Sequence, residues 1–377
     1  MKIRLLNKIA AKGLAALPDT YTYGENIQDA DAILVRSAVM HDMIFNPELD
    51  AIARCGAGVN NIPLDRCADE GIVVFNTPGA NANAVKELTV CALLLASRNV
   101  IGGVAYANSL TADVAKTVEK GKSAFGGCEI AGKTLGIIGL GAIGRLVAEA
   151  ANSLGMYVVG CDPFLSPERR DTLPPMDIVN TFDKVFAAAD YLTLHVPATP
   201  ETRGLISAAS IAKMKTGVRL LNLARADLAV ADDVKEALVS GKVAVYVTDF
   251  PTEDTVGVPG IIAIPHLGAS TEESEDNCAV MAAGELRDYL ENGTVRCSVN
   301  FPAAEAPRRG GRIVVLGRAG AALGEKIGTA VSADAVITPF EGKTTAVVYA
   351  DYEGDVPEGD AEAIAAIDGV CRVRELF

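Results

Sequence analysis

The sequence has no tryptophan, only three histidines and no pair of cysteines at a metal-binding spacing. Its eight cysteines are scattered without a Cys-x-x-Cys pair, so we expect reduced thiols rather than a zinc site or a disulfide framework. Only three histidines, His41, His195 and His266, are available as a general base. No metal is expected.

Basic residues are in the minority, since 34 Lys and Arg stand against 48 Asp and Glu and give a net charge of −14. Such a chain has no basic stripe with which to replace phosphate counterions, which argues against a nucleic-acid partner. No apolar stretch approaches the length of a membrane span, and the apolar run at the N-terminus is short for a signal peptide. We therefore expect a soluble, cytoplasmic protein.

The length of 377 residues exceeds that of one typical core, so two or three domains are expected. Apolar runs alternate with helical patterns along residues 1 to about 96, and again to about residue 270. This alternation predicts an α/β fold with two doubly wound, Rossmann-like parallel sheets.

The segment 135–145 is the most informative part of the sequence. An apolar run predicts a buried strand, and the glycines that follow precede a helical pattern. In a dinucleotide-binding unit the first glycine permits a tight turn, the second lets a pyrophosphate approach the backbone, and the third lets the helix pack on the strand. The residues expected at the pyrophosphate are Gly139, Gly141, Ala142, Ile143 and Gly144.

A second strand, predicted over 156–160, leads to Asp162. An acidic residue at this point accepts hydrogen bonds from an adenosine ribose and repels a 2′-phosphate, which favours NAD over NADP. The alternative interpretation is an ordinary glycine turn, with Asp162 only ending the strand.

Three later loops follow predicted strands and carry residues suited to acid/base chemistry: Arg225, Glu253 and His266. A guanidinium can hold a carboxylate bidentately. A histidine supported by a carboxylate can take the proton of a 2-hydroxyl as hydride leaves. Together the three residues would make a site for oxidising a 2-hydroxy acid.

The C-terminal part is predicted to be a separate small domain. Residues 302–311 have the composition of a linker. A helix of about 272–291 precedes them, and a strand-helix-strand-strand-helix-strand order follows over 310–377, which predicts a ferredoxin-like fold.

Several motifs occur in the order found in the D-2-hydroxyacid dehydrogenase family, which the chain resembles over about residues 30–300. Besides the glycine turn, they are Val35-Arg36-Ser37, the run 54–61, Asn76-Thr77-Pro78, Glu87-Leu88-Thr89, the run 194–197, the run 222–225 and the run 265–271. The resemblance implies a split substrate-binding domain (1–96 and 276–301), an NAD-binding domain (97–275), an active site between them, and a homodimer or homotetramer.

The resemblance also implies residue roles. Arg225 would bind the substrate carboxylate, and His266 would be the acid/base with Glu253 as its partner. Further cofactor-binding residues would be His195, Val196, Pro197, Thr202, Ala224, Asp249 and Gly268. Substrate-binding residues would be Arg36, Arg54, Gly56, Ala57, Gly58 and Asn81. Lys86 stands where the family would have a small residue, and with Arg36 and Arg54 it would suit a phosphorylated 2-hydroxy acid. The alternative for each basic residue is a solvated surface charge or an ion pair.

Two positions depart from the family pattern. Ala226-Asp227 follows Arg225 where glycine is usual, and the usual Asp-Val-Phe appears as Thr248-Asp249-Phe250, one residue out of register. The C-terminal domain resembles an ACT domain with a regulatory or assembly role, but residues 316–321 replace its usual ligand loop. Two alternatives stay open: a related dehydrogenase of lactate, glycerate or glyoxylate, and a non-catalytic NADH-sensing protein.

Overall fold

The computed structural model describes residues 1–377 and divides the chain into two compact units. One comprises 1–81 and 272–377, and the other comprises 82–271. The predicted boundary near residue 96 is therefore shifted. The reason is the helix 82–97, whose buried Leu93 and Ala96 share a core with Leu135 and Val147 of the second unit.

The first unit opens with a five-stranded parallel sheet in the order β2-β1-β3-β4-β5. Its elements are β1 (Lys2–Leu6), α1 (Ala11–Leu14), β2 (Thr22–Gly24), β3 (Ala32–Val35), β4 (Ala51–Arg54), α2 (Leu64–Asp69) and β5 (Val73–Phe75). Strands β3 and β5 are buried at every residue, as apolar strands of a parallel sheet are. Successive strands are added on one side of β1 and then on the other. Open sheets of this kind bind ligands where this direction changes.

The second unit is built on a seven-stranded parallel sheet in the order β12-β11-β10-β9-β6-β7-β8. Its elements are α3 (Ala82–Ser97), α4 (Val100–Ser109), α5 (Val114–Gly121), β6 (Thr134–Ile138), α6 (Ala142–Ser153), β7 (Tyr157–Cys161), α7 (Pro167–Arg170), β8 (Asp177–Ile178), α8 (Phe182–Ala188), β9 (Tyr191–Leu194), α9 (Ala208–Ala212), β10 (Val218–Asn222), α10 (Ala231–Val239), β11 (Val243–Thr248) and β12 (Ile261–Ala263). The prediction of parallel, Rossmann-like sheets is confirmed. The strand order reverses between β6 and β9, so the glycine turn after β6 lies at the ligand-binding point of the sheet.

No single helix combines the length and apolar character needed to cross a bilayer. Helices α3 and α4 reach that length only as a pair, and they are bent by 69° where they join.

Helix α11 (Glu272–Asn292) returns the chain to the first unit. Its buried stripe includes Cys278, Ala282, Leu286 and Tyr289, at the three- and four-residue spacing of one helix face. These residues join the core that contains Ile3 of the first sheet. The first unit is therefore completed only by residues that follow the second unit in sequence.

The last part of the chain folds in the predicted order: β13 (Arg312–Arg318), α12 (Leu323–Ala330), β14 (Val336–Glu341), β15 (Thr345–Asp351), α13 (Asp360–Ala365) and β16 (Val370–Leu376). The strands form an antiparallel sheet in the order β14-β15-β13-β16. Alternate residues of β13 enter different cores. Ile313 and Val315 pack with Leu323 of α12, while Val314 and Leu316 join the core that includes α11. Both faces of the sheet are thus covered by the chain itself.

Residues 302–311, predicted as a linker from composition, are packed against the first unit. Ala304 is fully buried and exchanges two backbone hydrogen bonds of 2.8 Å with Val295. Its carbonyl also accepts a hydrogen bond of 2.7 Å from the Tyr349 hydroxyl. Composition suggested a flexible connection, but these contacts fix its path.

A buried ion pair anchors this region. The guanidinium of Arg312, which is 0% exposed, donates to both carboxylate oxygens of Asp351 at 2.6 and 2.9 Å. It also donates to the carbonyls of Asn292 and Ala306 at 3.0 Å each, and it lies 4.1 Å above the Tyr349 ring. The charge is therefore well paired despite its burial.

We expect Asp351→Asn to lower the free energy of unfolding by about 3 kcal/mol, because it leaves the buried Arg312 charge without a counterion. Urea denaturation followed by circular dichroism measures this loss. The control is Asp69→Asn, which breaks an exposed pair with Arg318 and should change stability by less than about 1 kcal/mol. Equal effects of the two substitutions would show that burial of the Arg312 pair has no special importance.

Candidate active site

The glycine turn after β6 has the close contacts that its sequence predicts. Gly139 has a φ of +92°, and a Cβ there would lie 2.5 Å from the His195 carbonyl oxygen. A Cβ on Gly144 would lie 2.0 Å from the Gly139 oxygen, so a side chain would separate helix from strand. At Gly141 a Cβ would meet nothing within 4 Å. The backbone at Gly141 therefore borders open space that a ligand can enter.

The N-terminus of α6 offers a place for an anion. Gly141 is the N-cap, and no side chain caps the first-turn N–H groups of Ala142 and Ile143. A cavity of about 200 Å³ at this point is also lined by Arg145 and Arg169. Free N–H groups, the helix dipole and two guanidinium groups together fit a pyrophosphate.

Asp162 lies directly beyond β7, as predicted. Its carboxylate oxygens accept hydrogen bonds from the backbone N–H groups of Leu140 at 3.0 Å and Phe164 at 2.9 Å. Each oxygen has a second lone pair for a ribose hydroxyl. Asp162 also lines a cavity of about 650 Å³ with Arg170 and Lys184, which is within the usual range for ligand pockets.

The loop after β9 contains the only buried imidazole nitrogen without a partner. His195 Nδ1 is buried and unpaired, while Nε2 lies 3.1 Å from the Thr193 hydroxyl. Burial lowers the pKa of His195 to about 4, so the ring is neutral at neutral pH. The loop through Val196 is closed by Thr202, whose hydroxyl donates to the Pro197 carbonyl at 2.6 Å. The free nitrogen fits a bound polar ligand better than a catalytic base.

The backbone around Arg225 is held by one buried side chain that the sequence interpretation missed. The Asn222 amide oxygen accepts from the N–H groups of Ala224 at 3.2 Å and Arg225 at 3.3 Å. Its amide nitrogen donates to the Arg225 carbonyl at 2.8 Å and to the Tyr246 hydroxyl at 3.1 Å. The sequence feature that indicates this role is the spacing of Asn222 and Arg225, which are three residues apart.

Phe250, also missed as a functional residue, connects two of the candidate catalytic residues. Its ring centroid lies 4.6 Å from that of His266 and 5.8 Å from the guanidinium carbon of Arg225. The structure thus brings Arg225 and His266 close to the same aromatic ring. A substrate with a carboxylate beside a hydroxyl could contact both.

The third candidate, Glu253, is not in contact with His266. Its side chain is exposed and makes no hydrogen bond or ion pair in this structure. The expected carboxylate-histidine pair is therefore absent from this conformation. Glu253 lies in the loop between β11 and β12, which has no regular secondary structure to fix the side chain.

Asp249 is directed at the loop that carries His266. Its oxygens accept from the N–H groups of Leu267 and Gly268 at 2.7 Å each. Burial raises the pKa of Asp249 above its ordinary value, although these two hydrogen bonds act in the opposite direction. Asp249 is also only 1% exposed, so burial rather than a lack of lone pairs separates its carboxylate from the predicted contact with nicotinamide.

The predicted substrate-binding loops of the first unit are bonded to each other. The Asn76 side chain donates to the Ala57 carbonyl at 2.7 Å, and Thr77 N–H donates to the Gly56 carbonyl at 3.1 Å. Gly56 has a φ of +144°, and a Cβ there would overlap the Arg54 guanidinium. Gly58 and Asn81 are half-buried in the same two loops.

The other two basic candidates have carboxylate partners. Arg36 lies beside β1 and β3 and pairs with Glu275 of α11 at 2.5 Å. Lys86 lies on α3 and is 3.5 Å from Glu87. Arg36 is about half-exposed, so a substrate anion could compete for it.

Comparison with known proteins places this geometry in a family. Residues 93–268 match the model of the D-isomer specific 2-hydroxyacid dehydrogenase NAD-binding domain. The chain carries the NAD-binding domain of the D-2-hydroxyacid dehydrogenase family. The cofactor is NAD, in agreement with the glycine turn and Asp162.

Curated relatives of the family are similar over most of this chain. D-3-phosphoglycerate dehydrogenase of Bacillus subtilis is 37% identical over 295 residues, or 74% of this chain and 54% of that protein. The enzyme of the same name from Methanocaldococcus jannaschii is 36% identical over 287 residues, or 74% of this chain and 53% of that protein. The chain spans about half the length of the curated relatives it matches.

Solved structures of the D-2-hydroxyacid dehydrogenase family have the same fold. NAD⁺-bound 3-phosphoglycerate dehydrogenase of Entamoeba histolytica has a TM-score of 0.64 and 27% identity, and covers 80% of this chain and 98% of its own. A glyoxylate reductase from Paecilomyes thermophila has a TM-score of 0.66 and 26% identity, with 79% and 98% covered.

We expect Asp162→Asn to reduce the preference for NADH over NADPH at least about 10-fold, because a like charge near a 2′-phosphate costs about 1 kcal/mol in water and more in a partly enclosed site. Fluorescence titration with each cofactor gives the ratio of dissociation constants. Asp183→Asn, at an exposed carboxylate paired with Lys213, is the control. An unchanged ratio in Asp162→Asn would assign the discrimination to other residues.

Proposed function

We propose that this chain interconverts D-3-phosphoglycerate and 3-phosphohydroxypyruvate with NAD, the first step of serine biosynthesis. The observation that carries the proposal is that Arg225 and His266 both lie close to the ring of Phe250, in the same compact unit as the dinucleotide-binding turn. Relatives named D-3-phosphoglycerate dehydrogenase support the choice of substrate.

In this mechanism the chain binds the acid and moves one proton. Arg225 holds the substrate carboxylate with its planar pair of N–H donors and so fixes the adjacent C2. His266 removes the 2-hydroxyl proton, so that the oxygen can form a carbonyl. Bound NAD supplies the acceptor for the hydride that leaves C2.

Glu253 would act on His266 after a change in residues 251–260, beyond the anchored Asp249 and Phe250. A carboxylate beside the ring stabilises the imidazolium that forms when the proton arrives. Because Glu253 is exposed and unpaired in this structure, its approach costs little beyond the ordering of the loop and the side chain.

A phosphate would need specific basic partners, since the chain as a whole carries a net charge of −14. Arg36, Arg54 and Lys86 are the proposed phosphate-binding residues. Arg54 is held in place by its Nε–H bond of 3.1 Å to the Arg36 carbonyl. A phosphate of charge near −2 competes better for Arg36 than the single carboxylate of Glu275.

The first test is NADH oxidation by the purified chain with 3-phosphohydroxypyruvate, compared with hydroxypyruvate, pyruvate, glyoxylate and 2-oxoglutarate. We expect a strong preference for the phosphorylated acid. Arg225→Lys should lower kcat/KM about 10- to 100-fold, because lysine cannot form the bidentate pair. Arg203→Lys, at an exposed arginine that pairs with Asp227, is the matched control.

Other outcomes of the same panel identify the alternatives. Equal or faster turnover of an unphosphorylated acid would retain the mechanism and reject the phosphorylated substrate. NADH binding without turnover of any acid would indicate a non-catalytic NADH-sensing protein.

We also propose that the chain forms a homodimer through the segment 100–125. Helices α4 and α5 have no buried residues, and Val100, Ile101 and Val104 are each at least half-exposed. The segment is held together by Tyr106, which stacks on Phe125, and it borders a cavity of about 670 Å³. An ordered apolar surface of this kind is typical of a subunit interface.

Val104→Glu should convert the dimer to a monomer, because a buried charge without a partner opposes association. Light scattering after gel filtration should give twice the chain mass of 39.2 kDa for the unmodified protein and the single mass for the variant. Val239→Glu, at an apolar residue that is 91% exposed, serves as the control. A monomeric unmodified protein would reject this interface.

The C-terminal domain has the element order of an ACT domain, and we propose that it belongs to this fold. Its role is assembly or support of the first unit rather than movement as a separate module. The Arg312–Asp351 pair and the core shared with α11 support this interpretation.

A further inference from the structure

The backbone of His266 adopts a conformation that requires external support. Its φ of +55° lies in the left-handed region, which is strained for a residue with a side chain unless its surroundings impose it. Its own N–H is bonded to the Ile264 carbonyl at 3.0 Å. This hydrogen bond is on the N-terminal side of His266, so the backbone on its C-terminal side needs hydrogen-bond partners as well.

Asp249 supplies that support from the next strand. The carboxylate is 1% exposed and receives the N–H groups of Leu267 and Gly268, one on each oxygen. Two charge-assisted hydrogen bonds of 2.7 Å to successive amides fix both the position and the direction of this backbone. They act on the two residues directly after His266.

The same residue is tied to the strand that leads to Arg225. The N–H of Asp249 donates to the Asn222 carbonyl at 3.1 Å, and Asn222 in turn holds the backbone of Arg225. The ring of the next residue, Phe250, lies close to the side chains of both Arg225 and His266. Asp249 is thus bonded to the end of β10 and to the backbone of the loop that carries His266.

The altered register explains why this carboxylate reaches the loop. Successive side chains of an extended strand point to opposite faces of the sheet. Thr248, at the usual position of the acid, is buried, and its hydroxyl accepts the Phe250 N–H at 3.1 Å. The acid one position later is directed at Leu267 and Gly268 instead.

Gly268 leaves just enough room for this contact. A Cβ on Gly268 would lie 3.0 Å from Asp249 Oδ2 and 3.5 Å from a Val85 methyl carbon. An added methyl group would therefore press on the carboxylate without meeting backbone. This makes Gly268→Ala a second, independent way to disturb the same contact.

We propose that Asp249 is a positioning residue that holds the His266 loop in its catalytic conformation and does not bind the cofactor. The proposal rests on the proposed function, in which His266 transfers the proton.

The test is Asp249→Asn, which keeps the shape of the side chain but places an NH₂ group against one of the two backbone N–H donors. We expect kcat to fall about 100-fold, since small misplacement of a reacting group has effects of this size. The dissociation constant of NADH should change less than 2-fold. Hydrogen exchange of the peptide covering 264–270 should become faster, while exchange in α6 should not change.

Gly268→Ala should give the same pattern in weaker form. Asp254→Asn, at an exposed carboxylate of the same loop, is the matched control and should behave as the unmodified protein. A rise in the NADH dissociation constant with unchanged exchange at 264–270 would make Asp249 a cofactor ligand and overturn the proposal. Unchanged kcat and unchanged exchange in Asp249→Asn would also overturn it.

The exchange measurement separates this proposal from the proposed function. If the unmodified chain turned over no 2-hydroxy acid, the function would be rejected. Faster exchange at 264–270 in Asp249→Asn would then still establish the anchoring contact, and unchanged exchange would reject it.

Discussion

Backbone hydrogen bonding at the ends of parallel strands is the constraint on which the candidate site depends. Where a strand ends, its neighbours no longer pair the N–H and C=O groups, and buried groups of this kind need other partners. Asn222 and Asp249 provide them with side chains that are almost fully buried. Each fixes the loop of a functional side chain to the sheet, Arg225 in one case and His266 in the other. The precision of the site therefore comes from residues that need not touch a substrate.

Electrostatics in this chain are local rather than global. The whole molecule repels anions, since its net charge is −14, yet the cavities near the glycine turn are lined by Arg145, Arg169, Arg170 and Lys184. Cationic side chains and an uncapped helix N-terminus concentrate positive potential where a dinucleotide carries its charge. The rest of the surface can stay acidic without weakening that attraction, because salt screens charges beyond about 10 Å.

The sequence predicted those features that depend on short stretches of chain. The glycine turn, Asp162, Arg225 and His266 each begin within three residues of the end of a strand, so local patterns were enough to place them. The predicted Glu253–His266 pair depends on the conformation of an irregular loop, which sequence does not specify. The ion pair of Arg36 with Glu275 joins residues far apart in the chain, and no local pattern indicates it. Composition also misled at 302–311, where Pro, Gly and Arg suggested flexibility but Ala304 is buried.

The return of α11 to the first unit has a consequence for the order of folding during synthesis. Residues 82–271 form a continuous unit with their own cores, and such a unit can fold as soon as it leaves the ribosome. One face of the first sheet must wait, because Ile3 packs in a core that also needs Leu286 and Val314. That face of the sheet therefore stays without its apolar cover until residue 314 has been synthesised.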